Sequence, residues 1–194
     1  MTDATIRLAT PADAPAIQEI YRHYVQASLV TFETETPDVR GMRDRIEATL
    51  ERYPYLVVEG EASEGHGVLG YCYASAFRPR AAYSHAAEAS IYLDRACKGR
   101  GYGRALYDEL GRILRRQHVF DLYACIAYRD EEDELLDHTS MRFHERLGFT
   151  LCGRFDKCGY KMGTWCDMVW MHKPLGPHPD DPAPFIPFAL LQGR

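Results

Sequence analysis

No run in the 194-residue chain approaches the ~18 consecutive apolar residues of a membrane-crossing helix. The opening residues, Met1-Thr2-Asp3-Ala4-Thr5-Ile6-Arg7, lack the basic-then-apolar layout of an export signal. Neither a membrane nor export is indicated, and a cytoplasmic protein is the expectation. The six cysteines (Cys72, Cys97, Cys125, Cys152, Cys158, Cys166) contain no C-x-x-C pair and are expected to be reduced. Cys152, Cys158, Cys166 and His172 fall close together, but gaps of five, seven and five residues match no zinc finger or ribbon. They read as small buried hydrophobes, and no metal is expected. There is no internal repeat and no excess of positive charge. With 23 Lys and Arg against 28 Asp and Glu, the net charge of -5 repels nucleic acid and acidic membrane surfaces.

What is present is material for one core. A chain of this length buries roughly 70% of its unfolded surface, and 46% apolar with 12% aromatic residues is enough to do so. The charge is also unevenly spread. Between Lys98 and Arg116 six basic residues face two acidic ones, a local +4 that leaves -9 for the remainder.

Periodicity outlines an α+β pattern. Residues 5–8 read as a strand, and Thr10-Pro11-Ala12-Asp13 as a helix start with a capping Thr, Pro at the first turn and an acid behind it. Ile17, Ile20, Tyr21, Tyr24 and Val25 carry that helix to about Ala27, and Thr36-Pro37 is expected to open a second helix bearing Met42, Ile46 and Leu50. Residues 55–59 and 68–74 read as a hairpin about a turn containing Gly65 and Gly67, with a third strand over 87–93. Leu106, Leu110, Ile113 and Leu114 form one helical stripe, residues 121–127 a strand, and Ser140, Phe143, His144 and Leu147 one face of a helix stopped by Gly148. Strands over 150–157 and 164–173 complete the set. The acidic run 130–134 reads as a solvated loop. From Pro174 onward six prolines in 21 residues describe a tail, 174–194, that wraps the surface or stays mobile.

The most informative segment is strand, glycine turn, helix: Ile91-Tyr92-Leu93, then Lys98-Gly99-Arg100-Gly101-Tyr102-Gly103-Arg104. Alternate glycines let backbone N–H groups converge, and a helix start adds partial positive charge, so an anion such as a pyrophosphate is favoured there. The spacing matches neither a dinucleotide fingerprint nor a P-loop. A turn that only redirects the chain is the alternative reading.

Lys98-Gly99-Arg100-Gly101-Tyr102-Gly103 resembles the acetyl-CoA signature of the GNAT N-acetyltransferase superfamily, with Lys in the leading position. More narrowly, the chain resembles that superfamily's phosphinothricin acetyltransferase group. The matching pieces are Thr31-Phe32-Glu33-Thr34-Glu35, Arg80-Ala81-Ala82-Tyr83, Glu88-Ala89-Ser90-Ile91-Tyr92-Leu93, Ser140 to Phe149, and Gly159-Tyr160-Lys161-x-Gly163-x-Trp165-x-Asp167. The resemblance covers about residues 6–173, so a domain 1–173 followed by the tail is expected. It implies a mixed, strongly bent sheet, splayed at its centre and flanked by helices. Acetyl-CoA would lie in the splay beside Ile91, Tyr92 and Leu93, with its pyrophosphate over residues 98–104.

Transfer of acetyl to an amine needs that amine neutral, because an ammonium has no lone pair, and needs a route for protonating the departing thiolate. The resemblance makes Glu88 the base and His144 the second catalytic group, and puts Phe32, Glu33, Arg80 and Tyr83 around the acceptor, Arg80 as a forked anchor for its carboxylate or phosphinate. As bare sequence, Glu88 is a solvated strand residue, His144 the edge of an apolar helix face, Arg80 part of a basic loop and Phe32 a loop aromatic. Two departures stand out. Asp137 occupies a position where Asn is usual, and the segment 128–136 is longer than the resemblance implies. The expected activity is acetyl transfer from acetyl-CoA to the amine of a small amino-acid-like acceptor (phosphinothricin, methionine sulfoximine or sulfone) by direct attack, in a homodimer. The alternatives are a protein N-terminus as acceptor, or a catalytically silent CoA-binding module.

Overall fold

A computed structural model describes residues 4–62 and 65–191 of the chain. Strand β1 (Thr5–Leu8) leads through one 3-10 turn (Pro11–Asp13) into α1 (Ala14–Ala27). The Asp13 carboxylate accepts from the Thr10 N–H and hydroxyl at 2.7 and 3.0 Å and from Arg7 at 2.7 Å, and Arg7 reaches on to Glu59. One guanidinium therefore ties the first strand to the helix start. Helix α2 (Val39–Arg52) opens later than Thr36-Pro37 predicts. Its cap is Asp38, whose carboxylate accepts from the Gly41 N–H at 2.7 Å, while the Thr36 hydroxyl is buried without a partner among the described residues.

Strands β2 (Tyr55–Ala62), β3 (Gly65–Ala76) and β4 (Ala86–Leu93) form a meander; residues 63 and 64, between β2 and β3, lie outside the described residues. Helix α3 (Tyr102–Arg116), β5 (Asp121–Tyr128), α4 (Thr139–Arg146), β6 (Thr150–Lys161), β7 (Thr164–Pro174) and a short α5 (Phe188–Leu191) follow. The strands make one seven-stranded sheet in the order β1-β2-β3-β4-β5-β7-β6. Every neighbouring pair is antiparallel except β4 and β5, which need the α3 crossover to run parallel. That pair holds only from Ala86↔Asp121 to Ala89↔Ala124. Beyond it the strands part, which is the splay the sequence resemblance implied.

The sheet is covered on both faces. The stripe Leu106, Leu110, Ile113, Leu114 is buried against Leu122 and Met171, and Ile17, Met42 and Ile46 pack on Val57 and Tyr71 from the other side. A third cluster joins Leu29 to Ala127, Leu136 and Cys166. The tail takes the wrapping course: Leu175 N–H donates to Phe120 O at 2.7 Å, and the buried Gln117 amide donates to both Arg52 O and Ile186 O at 2.8 Å. Phe188 and Leu191 enter the core at its end.

One expectation needs correction. Cys152 and Cys158 are exposed, because β6 is an edge strand open on both sides, whereas Cys72, Cys97 and Cys166 are buried. The acidic loop is solvent-facing but folded by ion pairs. Arg129 holds Asp133, Arg142 holds Glu132, and Arg154 holds Asp130, while Leu135 O accepts from the Leu29 N–H at 2.9 Å. Its end, Leu136, thereby becomes a wall of the splay.

Candidate active site

Asp94 N–H donates to Leu69 O, so the even-numbered residues of β4 turn their backbone groups toward β3. Ile91 and Leu93 consequently face the splay with theirs, past the point where β5 pairs. The Leu93 carbonyl is already engaged by the Tyr24 hydroxyl at 2.6 Å. Tyr92 shares the wall of the cleft, but its ring turns away into contacts with Tyr21, Tyr24 and Tyr71.

At the far end of β4 the glycine turn has divided its tasks. Gly99 and Gly101 have φ of +78° and +85°, and a Cβ built at either meets nothing within 4 Å. They give the backbone its left-handed conformation and leave open space above it. Gly103 is different: a Cβ there would come within 2.9 Å of the Phe143 ring, so this glycine lets α3 and α4 approach. Among the described residues no side chain caps the start of α3, which leaves its first N–H groups for another acceptor. Lys98 and Arg100 are exposed beside the turn, and Arg104 donates to Arg146 O at 3.2 Å. Asp137, just before the α4 cap residue His138, accepts from the Thr139 N–H at 2.8 Å; burial raises its carboxyl, but the hydrogen bonds from Thr139 outweigh this and hold it below its ordinary range.

Glu88 lies where the paired part of β4 ends. Ala87 and Ala89 point into the α3 side of the core, so strand alternation aims Glu88 at the opposite face. It is half-buried, and desolvation raises its carboxyl although Arg78 pulls the other way. His144 is 3% exposed. Its Nδ1 is 2.7 Å from Ser140 O and its Nε2 2.9 Å from the Tyr107 hydroxyl. A carbonyl only accepts, so Nδ1 carries the proton and Nε2 takes the phenolic hydrogen. Burial pushes His144 down to about 4, leaving it neutral. Tyr107 and His144 both line the cleft.

The other expected residues sit on two sides of Glu88. Phe32 packs on the backbone of Gly159, where a Cβ would lie 2.4 Å from its ring, and Glu33 is held by both guanidinium nitrogens of Arg45 at 2.8 and 3.1 Å. On the other side Arg80 is exposed at the start of a 3-10 turn (Ala81–Tyr83), and Tyr83 meets Phe77 edge-on at 5.9 Å. Sequence reading missed Tyr107, Arg45 and Lys161. The Lys161 ammonium is buried and donates to Thr31 O at 2.8 Å and Tyr24 O at 3.4 Å, stapling the β6–β7 hairpin to the end of α1 and to the 28–33 link. Only the Gly159-Tyr160-Lys161 motif signalled it.

A mixed sheet splayed beside an anion-binding turn, with a half-buried carboxylate at the other end of the same strand, defines an acyl-transfer architecture. Residues 6–170 match the acetyltransferase (GNAT) domain family. The chain belongs to the GNAT acetyltransferase family. It is 33% identical over 181 residues to phosphinothricin N-acetyltransferase of Streptomyces viridochromogenes, covering 91% of this chain and 93% of that protein. It is 34% identical over 176 residues to the L-methionine sulfoximine/L-methionine sulfone acetyltransferase of Salmonella typhimurium, covering 90% and 96%. Its fold superposes with a TM-score of 0.78 and 37% identity on a phosphinothricin acetyltransferase from Sinorhizobium meliloti solved with acetyl-CoA, covering 89% of each chain.

Proposed function

We propose that the protein transfers acetyl from acetyl-CoA to the amine of a small amino-acid-like acceptor of the phosphinothricin, methionine sulfoximine or methionine sulfone type, by direct attack. The observation that carries this reading is the continuity of β4: Glu88 at one end, the unpaired backbone of Ile91 and Leu93 in the splay, and the open turn at the other end. The residues present fit the co-substrate. Gly99 and Gly101 leave room for a pyrophosphate on the first N–H groups of α3, with Lys98, Arg100 and Arg104 supplying charge and Tyr102 and Gly103 continuing the helix. When bound, acetyl-CoA supplies a thioester-activated acetyl group.

The chain's own groups then have separable tasks. Glu88, its carboxyl raised by desolvation, accepts the proton of the acceptor's ammonium and leaves the lone pair free. As the amide forms, the attacking nitrogen loses its second proton, which balances the one the departing thiolate takes up. The Tyr107 hydroxyl spends its hydrogen on His144 Nε2, so this pair holds a fixed polar wall of the cleft and positions the reacting groups. Arg80 anchors the acceptor's acid group from the loop, and Tyr83, Phe32 and Glu33 shape its surroundings. The Cys125 thiol, also in the cleft, is pushed up to about 12 by desolvation, which favours direct attack over an acetyl-cysteine route.

We assign the chemistry to residues 1–173 and a bracing role to 174–194, in a cytoplasmic homodimer. The exposed apolar side chains of the β6–β7 hairpin, Leu151, Phe155, Tyr160, Met162 and Trp165, support self-association; sedimentation showing only monomer at micromolar concentration would reject it. The deciding assay is free-thiol release from acetyl-CoA over a panel of phosphinothricin, methionine sulfoximine, methionine sulfone, ordinary amino acids, polyamines and peptides. Turnover on the first three is expected. None on these, with turnover on peptides, overturns the acceptor assignment.

A further inference from the structure

The cleft where β4 and β5 part is narrow, with a free volume of about 50 Å³. Most of its wall cannot yield. Residues 89–92 and 124–127 belong to strands fixed in the sheet, and on the helices His144 is bonded both to the Tyr107 hydroxyl and to Ser140 O. The rest of the wall is Val30, from the link after α1, and Leu136, from the loop between β5 and α4. Their segments are joined, because the Leu29 N–H donates to Leu135 O at 2.9 Å. Leu136 is buried but lies in no helix or strand, so the bonding of its loop decides where it stands.

That bonding is chiefly ionic. Asp133, paired with Arg129 at 2.6 Å, accepts from the Leu135 and Leu136 N–H groups at 2.9 Å each. Glu132 receives Arg142 of α4 at 2.8 Å and the His138 N–H at 2.5 Å. Asp130 receives both terminal nitrogens of Arg154 on β6 at 2.9 Å, and the same guanidinium meets Asp156 and Asp167 and lies over the Tyr128 ring. Three of the five acids in residues 130–134 are thus each held by an arginine. An isolated exposed pair contributes little and is screened by salt, whereas several acting on one short loop form a network.

We propose that this loop is the acyl-length gauge of the enzyme. Leu136 is the stop that limits the transferred group to acetyl, and Arg154 and Arg142 are positioning residues that keep the stop in place. A longer acyl chain has to displace a wall, and the segment carrying Leu136, with Val30 against it, is the part of the wall built into neither the sheet nor a helix. The added length of segment 128–136 thereby acquires a task. The inference rests on the acetyl-transfer reading above and adds to it a selectivity for the donor.

The test compares kcat/KM by thiol release for acetyl-CoA, propionyl-CoA and butyryl-CoA at one saturating concentration of methionine sulfone. One methylene too many in a closed site changes kcat/KM roughly 10- to 200-fold, so the wild type should prefer acetyl to propionyl at least ~10-fold. L136A should bring the two donors within about threefold, and R154Q/R142Q should shift their ratio toward propionyl at least fivefold. Rising salt should produce the same shift in the wild type, because the ion pairs are screened while the phosphates common to both donors cancel from the ratio. If R154Q/R142Q does not fold, this salt series decides. R112Q breaks the exposed pair with Glu109 on α3 and should leave the ratio within twofold of wild type whatever happens to the Tm. A merely structural role for the two arginines would lower the Tm and affect both donors alike. Equal use of acetyl and propionyl by the wild type, or a ratio unchanged in L136A or in R154Q/R142Q, overturns the proposal. Calorimetric titration of the donors without acceptor gives a second readout: the wild type should bind acetyl-CoA at least tenfold more tightly than butyryl-CoA, and L136A should bind them almost equally. Equal binding by the wild type again overturns the gauge. Selective binding with no turnover of any acceptor would instead defeat the acetyl-transfer reading and leave the gauge standing.

Discussion

His144 shows how neighbours set a residue's chemistry. With Nδ1 spent on Ser140 O and Nε2 on Tyr107, and with the ring almost wholly buried, it stays neutral down to about 4. The unfolded chain takes up that proton near the ordinary histidine value of about 6.5 and the folded chain does not. Stability is therefore full above ~6.5 and falls as pH drops toward 4, by about 3 kcal/mol from this group. Urea unfolding of wild type and H144Q across that window should show the extra slope only in the wild type. For Glu88, E88Q is expected to lower kcat at least ~100-fold with the KM for acetyl-CoA unchanged, measured by thiol release; wild-type kcat would remove the carboxylate from the chemistry. Both residues were legible in the sequence through a resemblance, because each sits in a recognisable string. Tyr107 was not, since beside the Leu106, Leu110, Leu114 stripe it reads as one more core residue. Arg45 reads as an exposed helix position until the fold brings Glu33 to it.

At the scale of elements, the glycine turn was read as an anion-binding turn, and its glycines differ in what they leave room for. Gly101→Ala forces a side chain into left-handed backbone, costing about 1–2 kcal/mol, and puts a methyl in the open space above the turn. Gly103→Ala strikes the Phe143 ring instead. Thermal unfolding with acetyl-CoA titration should separate them: G101A weakens acetyl-CoA binding at least fivefold, whereas G103A lowers the Tm with a smaller effect on binding. The β6–β7 hairpin plays a comparable part for the acceptor, because Gly159 and Lys161 set where Phe32 lies. G159A should raise the acceptor KM several-fold while the acetyl-CoA KM stays put; parallel changes in both would mean that Phe32 is not an acceptor wall. Helix α2 illustrates the limit of pattern reading, since Thr36-Pro37 and Asp38 both look like starts and only the reach of the Asp38 carboxylate to Gly41 chooses between them.

For the molecule as a whole, the tail matters more than its composition suggests. Prolines in 174–187 deny it regular structure, yet Leu175, Phe188 and Leu191 are buried and Gln117 depends on Ile186 for one of its two amide bonds. Removing residues 174–194 should cost about 3–6 kcal/mol, from three apolar side chains at roughly 1.5–3 kcal/mol each less what the uncovered surface regains. Chemical denaturation of the truncated chain checks this, and an unchanged midpoint would make the tail dispensable. The net charge of -5 likewise has meaning only once distributed, as a positive turn at the start of α3 set in an acidic remainder.

The sequence by itself determined the elements, the one-domain scale, the glycine turn and, through matched strings, the family and most of the expected site. Those are local properties, carried by periodicity of 2 or 3.6 and by backbone that only glycine adopts. The tertiary structure alone decided the rest: that β4 and β5 part after Ala89, that the acidic loop is pinned by arginines and walls the cleft, and that the buried His144 ring meets the Tyr107 hydroxyl. Each of these depends on residues tens of positions apart meeting in space, and on burial changing the cost of a charge or an unmade hydrogen bond, which no spacing along the chain records.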